Sequence, residues 1–181
     1  MRTKQQYIEG LRKKRRNIYV NGEKIARDDE IQMPTINTMG LTFDYAADPK
    51  YEGLCTAISH LSGEKINRFC HVHQSKEDLH KKQDMTRALC QVAGGCIQRC
   101  MGIDATNAIY NVSYEADKQN NGATQYHQNF VRWLETFQKE DLVGCCAQTD
   151  VKGDRMKRPS QQKDLDMYVR MVERKSDGIV V

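Results

Sequence analysis

The sequence predicts a mainly α fold, in which an N-terminal helical bundle with a small hairpin near its start is followed by the first strands of a β domain. Three observations predict it. Apolar residues recur at helical spacing over most of residues 75–140. An Asn-Gly pair at 21–22 separates two β-prone segments, and the residue pattern after Asp141 favours strands. We therefore expect a helical N-terminal domain over residues 1–141 and the start of a middle β domain over residues 142–181.

Helix boundaries follow from capping residues and from the spacing of apolar residues. A capping box at Thr3 and a short apolar stripe predict a first helix over residues 4–16. Residues 124–140 form the clearest amphipathic helix, with large apolar and aromatic side chains on one face. Ser75 fits the N-cap of a long helix, in which apolar residues recur at helical spacing up to residue 100. Further helices are predicted over residues 37–47, 51–61 and 105–117.

The predicted strands are short. The Asn-Gly pair, a strong hairpin signal, lies between Ile18–Val20 and Glu23–Ile25. Residues 143–148 and 167–174 are also interpreted as strands, and an Asp-Gly pair at 177–178 predicts a turn into three final apolar residues. A strand that stopped there would be an unpaired apolar edge, so we expect the chain to be the front part of a longer protein.

Composition places the chain among globular proteins. Its 181 residues, 39% hydrophobic and 29% charged, are enough for one domain with a core. No apolar run approaches the roughly 20 residues of a membrane helix, and the first residues lack the apolar segment of a secretory signal, so we expect neither. The G-x-G-x-x-G, Walker A, H-E-x-x-H and G-x-S-x-G motifs are absent, which argues against Rossmann, P-loop, zincin and α/β-hydrolase enzymes.

Positive charge is concentrated at the start of the chain. Residues 1–27 contain nine Lys or Arg and two Glu, a net charge of +7, which leaves −3 for the remainder of a chain whose net charge is +4. Such an arm can bind nucleic acid or an anionic membrane. The run Arg12–Arg16 also suits the end of a helix, and it has no interleaved aromatic residues for base stacking. We therefore expect neither nucleic acid nor a membrane as a partner.

The seven cysteines, an odd number, indicate a reducing cytoplasm rather than a disulfide framework. Cys96 and Cys100 form a C-x-x-x-C motif on the long predicted helix, where positions i and i+4 share a face, so both sulfurs could reach one metal ion or cluster. Spacing alone leaves two buried core cysteines as an equal alternative. Gly94 and Gly95 just before the motif favour a close approach of a cofactor or of another backbone.

Two other groups of residues have both a functional and a structural interpretation. His71 and His73 would share one face of a strand as a metal-binding pair, although we favour a polar pair at a helix junction. Residues 149–155 could hold an anionic or heteroaromatic ligand through their amide groups and an arginine, and a solvated turn is the alternative. The adjacent pair Cys145-Cys146 is interpreted as two small core residues.

Several motifs resemble those of a known enzyme family. They are Tyr7-Ile8-Glu9-x-Leu11-Arg12, Ile66-Asn67-Arg68-Phe69, Cys96-x-Gln98-Arg99-Cys100-x-Gly102-x-Asp104-Ala105, Thr149-Asp150-x-Lys152-Gly153-Asp154-Arg155 and Asp177-Gly178-Ile179-Val180-Val181. With them, the whole chain resembles the N-terminal part of the 4-hydroxybutyryl-CoA dehydratases, or vinylacetyl-CoA Δ-isomerases, which are related to the large component of 4-hydroxyphenylacetate 3-monooxygenase. The resemblance implies a bundle of the acyl-CoA dehydrogenase-like type.

The resemblance also implies a site that uses a flavin and an iron–sulfur cluster. Cys96 and Cys100 match two of three cysteine ligands of a [4Fe–4S] cluster, and the third cysteine and a histidine ligand are expected beyond Val181. Gln98 matches a glutamine with an accessory catalytic role beside the cluster. The segment that matches the FAD-binding residues of the family comprises Gln148, Thr149, Asp150, Lys152, Gly153, Asp154 and Arg155.

The implied reaction removes water from a 4-hydroxyacyl-CoA. One-electron chemistry at FAD acidifies the β-proton of the substrate, and the cluster acts as a Lewis acid on the leaving hydroxyl group. A cytoplasmic homotetramer with a role in fermentation follows from the family, and this chain alone is expected to be inactive. Two alternatives stay open, a flavin-dependent aromatic monooxygenase and a non-catalytic helical fragment. The C-x-x-x-C motif favours the dehydratase, because a monooxygenase without a cluster does not need it.

Overall fold

The computed structural model describes residues 1–15, 17–97, 99–144, 153–164, 166, 168–176 and 178–181. The chain divides into two compact units, Met1–Cys145 and Cys146–Val181. The first unit is mainly α, which confirms the predicted fold class. The predicted functional division into a helical domain over 1–141 and a β domain over 142–181 stays a prediction.

The described part of the first unit contains six α-helices and two small antiparallel hairpins. No helix among the described residues is both long and apolar enough to cross a membrane. The elements in chain order are α1 Lys4–Arg12, β1 Ile18–Val20, β2 Glu23–Ile25, α2 Met33–Ala47, α3 Glu52–Cys55, β3 Thr56–Ile58, β4 Lys65–Asn67, α4 Lys76–Ala93, α5 Arg99–Gln119 and α6 Tyr126–Lys139.

Local signals set the start of α1 and the first hairpin. The Thr3 hydroxyl accepts a hydrogen bond from the N–H of Gln6, whose side chain accepts one from the N–H of Thr3 in return, so the predicted capping box is present. The helix ends at Arg12, earlier than the predicted residue 16. Asn21 and Gly22 both have positive φ, 51° and 85°, as a two-residue turn of type I′ between β1 and β2 requires.

Two predicted helices differ from the structure. The helix expected over residues 51–61 is only α3, because at Thr56 the chain turns into an extended strand. That strand, β3, pairs with β4 so that Ala57 faces Ile66, a hairpin that the sequence did not predict. The long helix that was expected to continue to residue 100 ends at Ala93, because Gly94 adopts φ 70° in the left-handed region and terminates α4.

The other helices were predicted in the right places, two of them too short and the last slightly too long. Residues 37–47 fall within α2, which starts at Met33 with Pro34 in its first turn, where a missing N–H costs nothing. Residues 105–117 fall within α5, and 124–140 corresponds to α6.

Apolar residues pack in two adjoining clusters. The first includes Phe69, Met85, Leu89 and Ile103, all 2% exposed or less, and it joins α4 and α5 to the segment after β4. The second packs Leu134 and Phe137 of α6 against residues 70–72. The start of α5, where Cys100 lies, is therefore fixed on the first cluster.

The second unit is small and exposed where it is described. A hairpin pairs β5, Glu173–Lys175, with β6, Gly178–Val180, so that Arg174 faces Ile179. The predicted hairpin is therefore present, although its first strand is shorter than the expected 167–174. Val143 and Gly144 are not in a strand, and the rest of the expected strand over 143–148, including Cys145-Cys146, lies outside the described residues.

Candidate functional site

The cysteine motif lies between two helices, in a segment that we call the cysteine turn, of which residues 94–97, 99 and 100 are described. Cys96 is exposed in the non-helical linker after α4, whereas Cys100 is half-buried in the first turn of α5. The prediction that both lie on one helix is therefore wrong, because Gly94 ends the helix before the motif begins. The two thiols nevertheless lie near each other, since the charge of Cys96 raises the pKa of Cys100.

The surroundings of Cys100 hold its thiol in the neutral form. Burial raises the pKa of Cys100, and the neighbouring Cys96 raises it further through its charge and its hydrogen bond. The charge of Cys90, in the last turn of α4, acts in the same direction. Among the described residues, no set of three or more His, Cys, Asp and Glu side chains is arranged to hold a metal ion. This part of the chain thus offers two adjacent thiols, and a four-ligand cluster would need ligands from elsewhere.

Arg99, the first residue of α5, anchors the cysteine turn in the interior. Its guanidinium Nη2 lies 2.6 Å from Oδ1 of Asp141, and the two side chains are only 4% and 0% exposed. Nη1 donates a hydrogen bond of 2.7 Å to the hydroxyl of Thr42. The guanidinium also lies over the rings of Phe43 and Phe69, with its Cζ 4.8 Å and 5.3 Å from their centroids. The residue beside Cys100 is therefore held on several sides.

The side chain of Asp141 interacts with residues from distant parts of the first unit. Its Oδ2 accepts hydrogen bonds from the backbone N–H of Arg2, at 3.2 Å, and from Nδ2 of Asn67, at 3.3 Å. The thiol of Cys70 lies 3.7 Å from its Oδ1. Asp141 follows α6 with φ 47°, a conformation that aspartate tolerates better than most residues. The buried carboxylate thus connects the N-terminus, β4 and the start of α5.

A second polar group surrounds Asp78, in the first turn of α4. Nη1 of Arg68 lies 3.4 Å from its Oδ1, and Nε2 of His71 lies 3.4 Å from its Oδ2. Burial opposes ionisation of Asp78, but hydrogen bonds from the N–H of Gln74 and from the hydroxyl of Ser75, together with the nearby ring of His71, outweigh it and lower its pKa to about 2. Arg68 also donates to the carbonyls of Leu54 and Thr56, at 2.7 Å and 2.5 Å, so this group ties α3 to α4.

Among the described residues, the histidine pair belongs to no group of three or more side chains that could hold a metal ion. The rings of His71 and His73 are 6.3 Å apart, and they lie in a segment without helix or strand between β4 and α4. His71 is 3% exposed, and neither of its ring nitrogens meets hydrogen-bond geometry with a described residue. Burial lowers the pKa of His71; Asp78 opposes this effect, whereas the charges of Arg68 and His73 add to it.

This burial predicts a loss of stability in mild acid. Because the pKa of folded His71 lies below the value of about 6.5 in the unfolded chain, the folded protein binds fewer protons once the pH falls below that value. The free energy of unfolding should therefore decrease between pH 7.5 and pH 5.5, the range around that unfolded pKa. Urea unfolding followed by circular dichroism measures it. A His71→Asn variant should lose less stability over this range, and an equal loss would contradict the assignment.

The predicted flavin-binding segment is only partly described. Gly153, Asp154 and Arg155 are exposed in the second unit, where the N–H of Asp154 donates to Oε1 of Gln162 at 2.9 Å. The remaining predicted members lie outside the described residues, as does the predicted catalytic residue Gln98. These other members are Gln148, Thr149, Asp150 and Lys152.

Comparison with known proteins relates the chain to flavoenzymes and acyl-CoA dehydratases. A family described as "4-hydroxyphenylacetate 3-hydroxylase N terminal" matches residues 3–181. The 4-hydroxybutyryl-CoA dehydratase/vinylacetyl-CoA-Delta-isomerase of Clostridium aminobutyricum is 46% identical over 99% of this chain. The oxygenase component of 4-hydroxyphenylacetate 3-monooxygenase from Thermus thermophilus is 26% identical over 99% of it. The chain spans 36% of the length of both relatives.

Solved structures agree with this relationship. An oxygen-tolerant archaeal 4-hydroxybutyryl-CoA dehydratase from N. maritimus superposes with a TM-score of 0.89 and 38% identity, over 98% of this chain and 35% of that one. The oxygenase component of a 4-hydroxyphenylacetate 3-monooxygenase, complexed with FAD and 4-hydroxyphenylacetate, superposes with a TM-score of 0.72 over 99% of this chain and 37% of that one. At 20% identity the second likeness shows the fold alone.

Proposed function

Because the chain belongs to the 4-hydroxyphenylacetate 3-hydroxylase N-terminal family, we propose that it is the N-terminal part of a dehydratase that converts 4-hydroxybutyryl-CoA to crotonyl-CoA and isomerises vinylacetyl-CoA. The identity of 46% to a curated dehydratase, against 26% to a monooxygenase component, supports this assignment within the family. The chain spans 36% of these relatives, so the activity proposed is that of a whole enzyme.

The cysteine turn is the observation that carries the proposal. Two neighbouring thiols, one exposed and one at the start of a helix, would form half of the ligand set of an iron–sulfur cluster. Arg99 is buried beside them, which fixes the position of Cys100 before any cofactor is bound. Preorganised ligands lower the ordering cost of metal binding. The related aromatic monooxygenases do not need such a pair for flavin chemistry.

The roles of the other residues follow from the same proposal. A [4Fe–4S] cluster at Cys96 and Cys100 would supply a Lewis acid for the substrate hydroxyl, and FAD would supply one-electron redox chemistry. Gln98, which directly precedes the anchored Arg99, would lie beside the cluster and position the substrate. The FAD-binding segment would be residues 148–155, in the cytoplasmic tetramer proposed for the whole enzyme.

Serine substitutions in the full-length enzyme test the ligand roles. We expect Cys96→Ser and Cys100→Ser to lose cluster iron and to lower dehydration by more than about 100-fold, because losing a ligand costs more than losing a residue that only hydrogen-bonds to a ligand. Cys90→Ser is the matched control, since Cys90 lies near the pair but outside the C-x-x-x-C motif, and it should retain both iron and activity. Iron analysis, the visible spectrum and turnover of 4-hydroxybutyryl-CoA are the measurements.

Two results would reject the proposal in different ways. Full iron content in Cys96→Ser or Cys100→Ser would rule out the ligand role. An enzyme that contains FAD but no iron and hydroxylates an aromatic substrate would be the flavin-dependent monooxygenase instead.

A further inference from the structure

A groove lies between the last turns of α5 and the first turns of α6. We call it the α5–α6 groove; residues of both helices and Gly122, in the turn that joins them, line it. Its volume of about 640 Å³ is within the range of sites that bind small molecules. The groups that face it are an aromatic ring, an imidazole, two cations and two carboxylates. This combination matches the chemistry of a nucleotide.

An aromatic ring provides a stacking surface in the groove. The side chain of Tyr114 is 53% exposed, although its ring meets that of His127 edge-to-face, with centroids 5.5 Å apart and planes at 75°. The contact with His127 holds the tyrosine ring in place, and much of the ring remains uncovered. Exposed aromatic rings of this kind stack on the planar faces of nucleobases.

The imidazole of His127 presents a hydrogen-bond acceptor beside this ring. Its Nδ1 lies 3.1 Å from the carbonyl oxygen of Tyr110 and 3.2 Å from the hydroxyl of Ser113, which itself donates to that carbonyl. Because a carbonyl oxygen only accepts, Nδ1 carries the proton of the neutral ring and Nε2 is left as an acceptor. No described residue donates to Nε2. An exocyclic amino group, as in adenine, suits this nitrogen.

One cation from each helix lines the groove. Lys118 of α5 has only a loose partner, since its Nζ lies 3.9 Å from Glu115 in an exposed pair. Arg132 of α6 donates through Nη2 to Oδ1 of Asn129, and the guanidinium has further N–H groups. Arginine and lysine side chains placed in this way bind phosphate groups through charge-assisted hydrogen bonds.

The two carboxylates of the groove do not cancel these cations. Oδ1 of Asp117 accepts from the hydroxyl of Thr124, at 2.6 Å, and from the N–H of Tyr126, at 3.0 Å. Its Oδ2 accepts from the N–H of His127 at 2.9 Å, so this charge caps the start of α6. Glu135, one turn after the arginine, is an acceptor of the type that binds ribose hydroxyl groups.

We propose that the α5–α6 groove binds the 3′-phosphoadenosine diphosphate end of the CoA substrate. Tyr114 stacks on the adenine, and Nε2 of His127 accepts a hydrogen bond from its amino group. Lys118 and Arg132 contact the phosphate groups. The inference rests on the proposed function, because it takes the substrate to be a CoA thioester, and it assigns the part of this chain that holds the nucleotide.

The position of the groove along α5 fits the length of CoA. Tyr114 comes 14 residues after Cys100 in one continuous helix, which corresponds to about 21 Å at 1.5 Å per residue. About 20 bonds separate the thioester sulfur of CoA from its adenine, and they span roughly 23 Å when extended, at the ~1.15 Å per bond of an extended polypeptide. A nucleotide in the groove therefore allows the thioester to reach the cysteine turn.

Binding to the 181-residue chain tests the assignment without iron or FAD. Isothermal titration calorimetry compares CoA, adenosine 3′,5′-bisphosphate, dephospho-CoA, pantetheine and guanosine 3′,5′-bisphosphate. We expect the first two to bind with dissociation constants within about threefold of each other, and dephospho-CoA to bind about tenfold more weakly, because it lacks one charged phosphate contact. The guanosine compound should also bind about tenfold more weakly, since it has no amino group at the position that meets His127. Pantetheine should not bind.

Variants of the groove locate the site. Tyr114→Ala should weaken the binding of adenosine 3′,5′-bisphosphate by about tenfold or more through loss of stacking. Lys118→Ala and Arg132→Ala should each weaken it by about tenfold through loss of a phosphate contact. All three side chains are accessible from the groove, and circular dichroism verifies that the variants are folded.

Two matched controls lie outside the groove. Tyr19→Ala removes a tyrosine that is 64% exposed on β1. Lys81→Ala removes a lysine of α4 that lies 3.9 Å from Glu77, the same separation as in the pair of Lys118. Neither substitution should change the dissociation constant by more than about twofold.

Several results would overturn the inference. They are no binding of adenosine 3′,5′-bisphosphate to the chain, equal binding of the guanosine compound, or a loss in Tyr19→Ala or Lys81→Ala as large as in the groove variants. Each of these leaves the iron content and turnover of the Cys96→Ser enzyme unaffected, so it is distinguishable from failure of the proposed function. A full-length enzyme that contains no iron and hydroxylates an aromatic substrate would instead remove the CoA premise, even if the nucleotide bound.

Discussion

Replacing Asp141 with alanine is expected to lower the free energy of unfolding of the first unit by about 3–5 kcal/mol, the usual cost of removing one partner from a buried ion pair. Arg99 would stay in an interior site, 4% exposed, without its carboxylate. The N–H of Arg2 would lose its bond to the same carboxylate, and Nδ2 of Asn67 would lose one of the two hydrogen bonds that it donates. Urea unfolding followed by circular dichroism measures the change.

Two further variants show whether the burial of the pair causes this loss. Glu115→Ala removes the partner of Lys118 in an exposed pair 3.9 Å apart on α5, and it should cost less than about 1 kcal/mol. The double variant Arg99→Met, Asp141→Leu removes both charges and should recover much of the stability lost in Asp141→Ala. A single Asp141→Ala variant as stable as Glu115→Ala would contradict the anchoring role assigned to the pair.

Replacing Leu134 with alanine should lower the free energy of unfolding by about 2–5 kcal/mol. Leu134 is 0% exposed in the second apolar cluster, where α6 packs on residues 70–72, so its truncation leaves a cavity in addition to the lost burial. Leu79→Ala on α4 is the matched control, because it removes the same atoms from a side chain that is 43% exposed. It should cost less than about 1 kcal/mol, and similar losses for the two variants would argue against tight packing of α6.

Elements with strong local signals were predictable from the sequence. The start of α1 depends on a capping box within four residues, and the first hairpin depends on two residues that accept positive φ. Helix α6 has a clear apolar face in the sequence, and Leu134 and Phe137 on that face are buried in the structure. Each of these signals lies within the few residues of the element that it predicts.

Elements whose structure depends on tertiary contacts were not predictable in this way. The strands β3 and β4 are three residues each and too short to show a period, so their segment looked like a helix. The end of α4 was missed because Gly94 was interpreted as a glycine within a helix, whereas it occupies the left-handed position that stops one.

The candidate site shows the same division. The motif drew attention to Cys96 and Cys100, but the two cysteines lie on either side of the start of α5 instead of along one helix. The ion pair of Arg99 and Asp141 gave no signal, because the two residues are 42 positions apart and only the packed fold brings them together.

The distance along the chain between Arg99 and Asp141 has a consequence for synthesis on the ribosome. At about 5–20 residues per second, the 42 residues that separate them take roughly 2–8 s to translate. During that interval α4 and the start of α5 have emerged without the carboxylate that neutralises Arg99, so the nascent apolar cluster cannot close around this cation. This interval ends only when Asp141, which follows α6, leaves the exit tunnel. Emergence of α6 and Asp141 is therefore the step that completes co-translational folding of the unit.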